Sequence, residues 1–370
     1  MWGILKGFKA LSKNFFGPDP RCKKAQSVVS IRRGESEDGA RPACSRRKFL
    51  CGLPLFLGLL LASQSASALT VKGVSYTSLA GLAKRFGMSV KTLQARKVQR
   101  LYNKYVSLNF EVHKRDMTLN GGKIWLGFPV VEYKGLLYVA DADVSDTLVP
   151  ILYPSGGKYM PRLNTIVIDP GHGGKDNGAI SKPYRLYEKN LTLNISLKLA
   201  KALRAKGYKV YLTRYGDKFI ELKNRPAYAN KIKADMFISI HINAASPSAS
   251  GIETYALTPP GQSSTNASGS SAANKRKYPG NANDDWNVLL AHYIQKDMVA
   301  KLSGIDRGTK RARFAVLQGA AMPAALVECG FISNNADVRK LSSNKYRQEI
   351  ANAIASGISR YASTLARLRK

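Results

Sequence analysis

Ile166-Val167-Ile168-Asp169-Pro170-Gly171-His172-Gly173-Gly174 is the stretch that decides how this chain folds. Three β-branched residues in succession, with no polar alternation, describe a strand buried on both faces. The Pro-Gly pair ends that strand. Glycines on both sides of His172 let the backbone approach closely and leave one imidazole face open. A phosphate-cradling loop uses similar glycines, but no Lys-Ser/Thr follows here and no helix begins at once. A strand that delivers a functional side chain at its carboxyl end is the habit of open α/β sheets, whose ligands collect there.

Two more strand ends repeat the arrangement. Ser239-Ile240-His241-Ile242-Asn243 places a second imidazole, and Leu326-Val327-Glu328-Cys329-Gly330 places a carboxylate directly after an apolar run. A lone histidine at such a place is usually a packed core residue; two at neighbouring strand ends argue for a shared task. A carboxylate behind Ala-Ala-Leu-Val is expensive to bury without a partner. Glu188 opens an amphipathic helix, where an acid also suits the macrodipole. Two imidazoles and one carboxylate are a common protein ligand set for a catalytic zinc ion, with a fourth position left for water. His172, Glu188 and His241 are therefore the candidate metal ligands. Glu328 is the further acid that would move the water's proton. Asn243, two positions beyond a ligand, would hydrogen-bond substrate or stabilise its turn. Cys329 is expected to be an inert buried thiol, His292 a surface or packing residue, and His113 a solvated surface histidine.

Around these residues the pattern from Thr165 onward alternates short apolar strands with longer helices, which predicts a mixed, mostly parallel sheet flanked by helices. The expected strands are 165–169, 208–213, 236–240, 251–257, 314–317 and 324–327. The expected helices are 188–206, 222–233, 288–302 and 345–365. Pro259 to Trp286, rich in Ser, Gly and Asn, reads as a mobile loop. Residues 69–154 differ: dense in Lys, Arg and Tyr, with short alternating runs such as Val106–Val112, they read as a small β-rich α+β domain in front of the α/β one. Residues 155–162, which include Ser155-Gly156-Gly157, read as the linker, and 163–370 as the catalytic domain.

The amino terminus sets the compartment. Ser45-Arg46-Arg47-Lys48, an apolar run from Phe49 to Ala62 and Ala66-Ser67-Ala68 together describe a secretory signal within residues 1–68. The paired arginines point to the twin-arginine route, and the apolar run is too short to span a bilayer. Trp2, Leu5, Phe8 and Leu11 with interleaved lysines form either a short membrane-surface helix or part of a long leader. The whole chain carries 58 Lys+Arg against 24 Asp+Glu, a net charge of +34. Cleavage after Ala68 removes twelve basic and four acidic residues and leaves about +26. Export excludes nucleic acid as the partner of that charge and directs it to an anionic envelope surface. Of four cysteines only Cys329 remains after cleavage, so no intramolecular disulfide is available.

Taken together, the motifs at His172, Glu188, His241 and Glu328, with Leu222 to Asp235, resemble the zinc-dependent N-acetylmuramoyl-L-alanine amidases of the Amidase_3 family over about residues 163–365. The resemblance implies a Zn2+ cofactor held by His172, Glu188 and His241, with Glu328 as the catalytic glutamate. It implies peptidoglycan as substrate, cleaved between N-acetylmuramic acid and the first L-alanine of the stem peptide, in the periplasm or cell envelope. Arg214 and Arg225 are then expected in structural ion pairs, with stem-peptide carboxylates the weaker option. Some members carry a helix that plugs the site until an activator protein removes it; the composition of 259–286 resists helix formation, so no stable plug is expected here. The front segment resembles the copper amine oxidase N-terminal-like domain through Tyr76-Thr77-Ser78-Leu79, Thr118-Leu119-Asn120-Gly121 and Tyr138-Val139-Ala140, which implies no copper. Two rival readings stay open at this point: a zinc metallopeptidase acting on other peptide bonds, and a wall-binding protein without turnover.

Overall fold

The computed structural model of the protein describes residues 69–155, 160–267 and 275–370. The signal expected in residues 1–68 lies outside that set, as do the middle of the expected linker and of the 259–286 loop. Among the described residues no helix is long and apolar enough to cross a membrane.

From the amino end the strands are β1 (Leu69–Val71), β2 (Val74–Ser78), β3 (Ser89–Gln94), β4 (Val98–Tyr102), β5 (Ser107–Glu111), β6 (Asp116–Leu119), β7 (Gly122–Trp125), β8 (Val131–Tyr133) and β9 (Leu136–Ala140). Next come β10 (Thr165–Pro170), β11 (Ile180–Ser181), β12 (Leu186–Tyr187), β13 (Lys209–Leu212), β14 (Met236–Asn243), β15 (Ile252–Leu257), β16 (Asp306–Ala312) and β17 (Ala324–Phe331). The helices are α1 (Leu79–Phe86), α2 (Glu188–Arg204), α3 (Asn224–Lys231), α4 (Asp284–Leu302), α5 (Ala315–Gln318), α6 (Asn335–Ser342) and α7 (Asn344–Leu368). Two further helical stretches are Asp141–Leu152, between β9 and β10, and Pro279–Asn283, just before α4.

Eleven strands form one sheet in the order β13-β10-β14-β17-β15-β16-β7-β6-β5-β4-β3. Strands β13, β10, β14 and β17 run parallel; β15 turns antiparallel to β17, and β16 pairs with β15 in parallel. The fold is thus α/β with a mixed sheet, as the alternating pattern predicts. Successive residues of β10 point to opposite faces. Ile166 and Ile168 enter the larger apolar core with Leu191, Leu199, Leu289 and Ile354, whereas Val167 enters a smaller one with Phe237, Tyr255 and Leu326.

The front segment does not stand apart from this sheet. Its meander β7 to β3 continues the sheet past β16, where Thr309 registers with Ile124. Leu79, Leu101, Leu108 and Phe110 lie in the same core as Ile166 and Ile168. Helix α1 is capped by the Ser78 hydroxyl, which accepts from the Gly81 N–H at 3.1 Å, and ends on Gly87 at φ 62°. At the far margin all six residues of β3 are exposed, including Val90, Lys91 and Leu93.

A seam of charge binds the two parts. Asp143 is fully buried and accepts from the backbone N–H groups of Gly127, at 2.6 Å, and Phe128, at 3.0 Å. Burial outweighs those donors and the nearby Arg311 and Arg115, and pushes its carboxyl up to about 7. Arg311 of β16 donates to Leu257 O at 3.0 Å, to Thr147 Oγ1 at 3.2 Å and to Asp146 O.

Two expectations are corrected. Residues 314–317 are not a strand: Phe314 is extended, and its carbonyl accepts from Leu317 and Gln318 to start the short helix α5. The missing strand is β16, whose Asp-Arg-Gly-Thr-Lys-Arg-Ala sequence hides a buried strand because Lys310 and Arg311 are each 3% exposed with partners for their charge. The described flanks of the 259–286 loop are also pinned rather than mobile, with Gln262, Thr265, Asn281 and Asn283 buried.

Candidate metal centre

The loop after β10 is shaped by its glycines. His172 sits at φ 61°, in the left-handed region, between Gly171 and Gly173. A Cβ at Gly171 would lie 2.4 Å from the His241 ring, and one at Gly178 would lie 2.6 Å from Glu188 Oε2 and 2.7 Å from the His172 ring. Only glycine leaves room for these side chains to converge.

Two guanidinium groups hold the carbonyls of this loop. Arg225 is 2% exposed and donates to Asp169 Oδ1 at 2.9 Å, to Pro170 O at 2.9 Å and to His172 O at 3.0 Å. Arg214 donates to Pro170 O at 3.0 Å, and to Gly171 O and Lys189 O at 2.8 Å. The expectation of ion pairs therefore holds for Arg225 with Asp169. For Arg214 it is corrected, since backbone carbonyls and the Thr192 hydroxyl take all its bonds.

His172, Glu188 and His241 come together. One potential ligand atom from each lies within 4.8 Å of the others. His172 Nε2 and His241 Nδ1 are both 3.1 Å from Glu188 Oε1. Ligands at about 2.0–2.1 Å around a tetrahedral ion stand about 3.3 Å apart, close to these two separations. Glu188 is 4% exposed at the first turn of α2. Its Oε1 also accepts from the Ile242 N–H at 3.0 Å and its Oε2 from the Ala179 N–H at 2.9 Å. Burial raises its pKa, but the two imidazoles overcome that and hold the carboxylate far below the usual range. Burial likewise lowers the His172 imidazole, and Glu188 and Asp176 more than reverse the effect.

Asp176, which the sequence pattern did not single out, belongs to the same cluster. Its Oδ2 lies 2.8 Å from His172 Nδ1, the carboxylate–histidine arrangement that fixes a ligand's tautomer and ring orientation. A signal for it exists in the chain: an acid four residues beyond the histidine, in a glycine-rich turn.

Glu328 lies one strand over, registered with His241 of β14 on one side and Glu253 of β15 on the other. It is buried, and its Oε2 has no hydrogen-bond partner among the described residues. Burial, then Glu188 and Glu253, push its pKa well above the ordinary carboxylate value against the pull of Lys310. Asn243 closes the row: its Nδ2 donates to Glu253 Oε1 at 2.7 Å, and its Oδ1 accepts from the Ala244 N–H at 2.8 Å. Cys329 is buried, with a thiol pushed well above its usual pKa by burial, which suits an inert role. His292 is buried in α4, where burial brings its imidazole down to about 3, and His113 is exposed.

Beside the centre, Phe219 packs against Gly174 and opens a groove of about 630 Å3 lined by Leu222, Pro226, Tyr278, Ala315 and Gly319.

Residues 166–360 match the family model described as N-acetylmuramoyl-L-alanine amidase. The N-acetylmuramoyl-L-alanine amidase AmiC of Neisseria meningitidis serogroup B is 36% identical over 246 residues, 60% of this chain and 58% of that protein. The chain thus spans a little over half the length of that relative. The amidase AmiA of Escherichia coli (strain K12) is 35% identical over 229 residues, 56% of this chain and 77% of that protein. A crystal structure of an N-acetylmuramoyl-L-alanine amidase from Clostridium difficile 630 is 35% identical, with a TM-score of 0.46, and the match covers 55% of this chain and 98% of that one.

Proposed function

We propose a reaction and its residues from one premise: the chain belongs to the N-acetylmuramoyl-L-alanine amidase family. The reaction is hydrolysis of the amide between N-acetylmuramic acid and L-alanine in peptidoglycan, for cell-wall remodelling or daughter-cell separation. The observation that carries it is the convergence of two imidazoles and one buried carboxylate beside a second buried acid with an orphan oxygen.

His172, Glu188 and His241 would hold a zinc ion, with Asp176 orienting His172. When bound, zinc would supply a water of lowered pKa and polarisation of the scissile carbonyl. Glu328 takes a proton from the attacking water and delivers it to the departing amine of L-alanine. Asn243 bounds the same space from the end of β14 and would hydrogen-bond the substrate. The groove at Phe219 gives a polymer room to lie, with Lys223 and Arg276 in its lining for stem-peptide carboxylates.

Control falls to the front segment or to localisation rather than to a helical plug. Among the described residues of 259–286, the helical pieces are the single turn Pro279–Asn283 and the start of α4. Export by the twin-arginine route to the periplasm or envelope, attraction of the basic chain to anionic surfaces, the kinship of 69–154 to the copper amine oxidase N-terminal-like domain and the division at 155–162 belong to the same proposal. They rest on the sequence patterns above.

Digestion of purified muropeptides by the zinc-loaded protein, with and without chelator, tests the reaction. The expected products are peptides with a free amino-terminal L-alanine, formed only without chelator. New internal peptide ends would instead make the protein a peptidase. Glu328→Ala should lower turnover about 10²- to 10⁴-fold while zinc and wall binding persist. If wild type binds sacculi but never hydrolyses them with zinc present, it is a binding module.

A further inference from the structure

We propose that Glu253 is a positioning residue of the hydrolytic centre and that the front segment, seated through β7 on β16, is part of the machinery that holds it. This rests on the reading of Glu328 as the proton-moving group. Glu253 is 1% exposed and stands directly opposite Glu328 across the β15–β17 pair, so both side chains share one face of the sheet. Carboxylates so placed lie about 5 Å apart at Cβ and repel unless one is neutralised.

Neutralisation comes from β16. Glu253 Oε2 accepts from Lys310 Nζ at 2.6 Å and from Arg307 Nε at 2.7 Å. Its Oε1 accepts from Asn243 Nδ2 at 2.7 Å and from the Tyr255 hydroxyl at 2.6 Å. Four donors on two oxygens satisfy the carboxylate as an anion. The consequence for the site is geometric. Because a carboxylate can only accept, Asn243 must turn its NH₂ towards Glu253, which fixes the amide that otherwise has two orientations. Tyr255 in turn takes a bond from Asn266 Nδ2 at 3.1 Å, so the same carboxylate also ties down the 259–267 wall.

The cations have their own support, and it comes from the front segment. Trp125 Nε1 donates to Arg307 O at 2.9 Å, and the Trp125 ring lies 5.5 Å from Lys310 Nζ, within cation–π range. The Lys123 N–H donates to Asp306 Oδ2 at 2.8 Å. Without β7, strand β16 would be a bare edge, and the side chains that neutralise Glu253 would lose their backing. An unbroken set of contacts therefore runs from β7 through Arg307 and Lys310 to Glu253, and from there to the groups flanking Glu328.

The test uses the zinc-loaded full chain. In Glu253→Gln, which keeps shape and removes charge, kcat on soluble muropeptides should fall about 10- to 100-fold with KM close to wild type and zinc content unchanged. Glu253→Asp should recover part of the loss, a rescue that a space-filling role would not give. Trp125→Ala should lower kcat in the same direction, and Trp125→Phe, which keeps the ring beneath Lys310, should restore most of it. A second readout needs no turnover. In crystals of Glu253→Ala, the Asn243 amide should leave its position while His172, Glu188 and His241 stay in place. Wild-type kcat in a folded, zinc-replete Glu253→Gln, or an unmoved Asn243, overturns the proposal. Should wild type prove inactive on muropeptides, the reading of the reaction falls, and the crystallographic result decides this inference alone.

Discussion

Glu188 and Asp143 are both buried carboxylates, and their surroundings treat them oppositely. Glu188, in the metal centre, meets two imidazoles and two backbone N–H groups and is held ionised. Asp143, in the seam between front segment and sheet, has two backbone N–H groups, with Arg311 and Arg115 acting on it as nearby charges rather than bonded partners. Burial wins there, and the carboxyl rises to about 7. The depth is similar; the direct partners decide. One carboxylate is held as an anion between two imidazoles, and the other stays protonated towards the neutral range.

The contrast can be broken at its strong end first. Glu188→Ala should lower zinc affinity by about a thousandfold or more, as expected when one of three ligands sharing about 10–16 kcal/mol is lost. Metal content after dialysis measures this, and retention of wild-type stoichiometry would show that the two imidazoles suffice. A smaller effect is expected at Asp176. Asp176→Asn should weaken zinc binding or activity about 10- to 100-fold while leaving the fold intact, read by chelator competition. An unaltered affinity would leave the Asp176 contact without a role in holding His172.

The seam should leave turnover least affected and show itself in stability. Asp143 is raised from 3.8 in its ordinary state to about 7 when folded. Between those values the unfolded chain has released the proton and the folded chain keeps it. Stability therefore falls as pH rises from about 4 to about 7, by at most about 4 kcal/mol. Asp284, raised to about 6 chiefly by burial, acts in the same sense. Urea denaturation at pH 5 and pH 8 should show the drop, and Asp143→Asn should shrink it. A variant with the same difference between the two pH values would place the effect elsewhere.

The sequence reveals the catalytic half of the fold more readily than the front. Apolar runs such as 166–168 and 236–240 are buried on both faces and announce themselves by composition. Strand β16 does not, because its burial depends on Glu253 and on carbonyls contributed from elsewhere in the chain. No local pattern shows that β7 would join β16, since Thr309 and Ile124 are far apart in sequence. At the site, the convergence of His172 and His241 is legible from their places at strand ends, and that of Glu188 from its place at the opening of a helix. Asp176 and Glu253 are illegible for a different reason: an acid's task depends on which side chain it faces, and that is a property of the folded chain. Arg214 shows the same limit from the other side, with a charge that suggests an acid and a place that offers carbonyls.

Strand β3, open to water along its whole length, has a consequence for life in a crowded medium. A bare strand margin can template the addition of another polypeptide, and six exposed residues including Val90 and Leu93 would suit a stranger's backbone well. Lys91 sits near the middle of that margin, and its ammonium must lose water before any second chain can lie alongside. Charge on such a margin raises the cost of edge-to-edge pairing, here at the end of a sheet eleven strands wide.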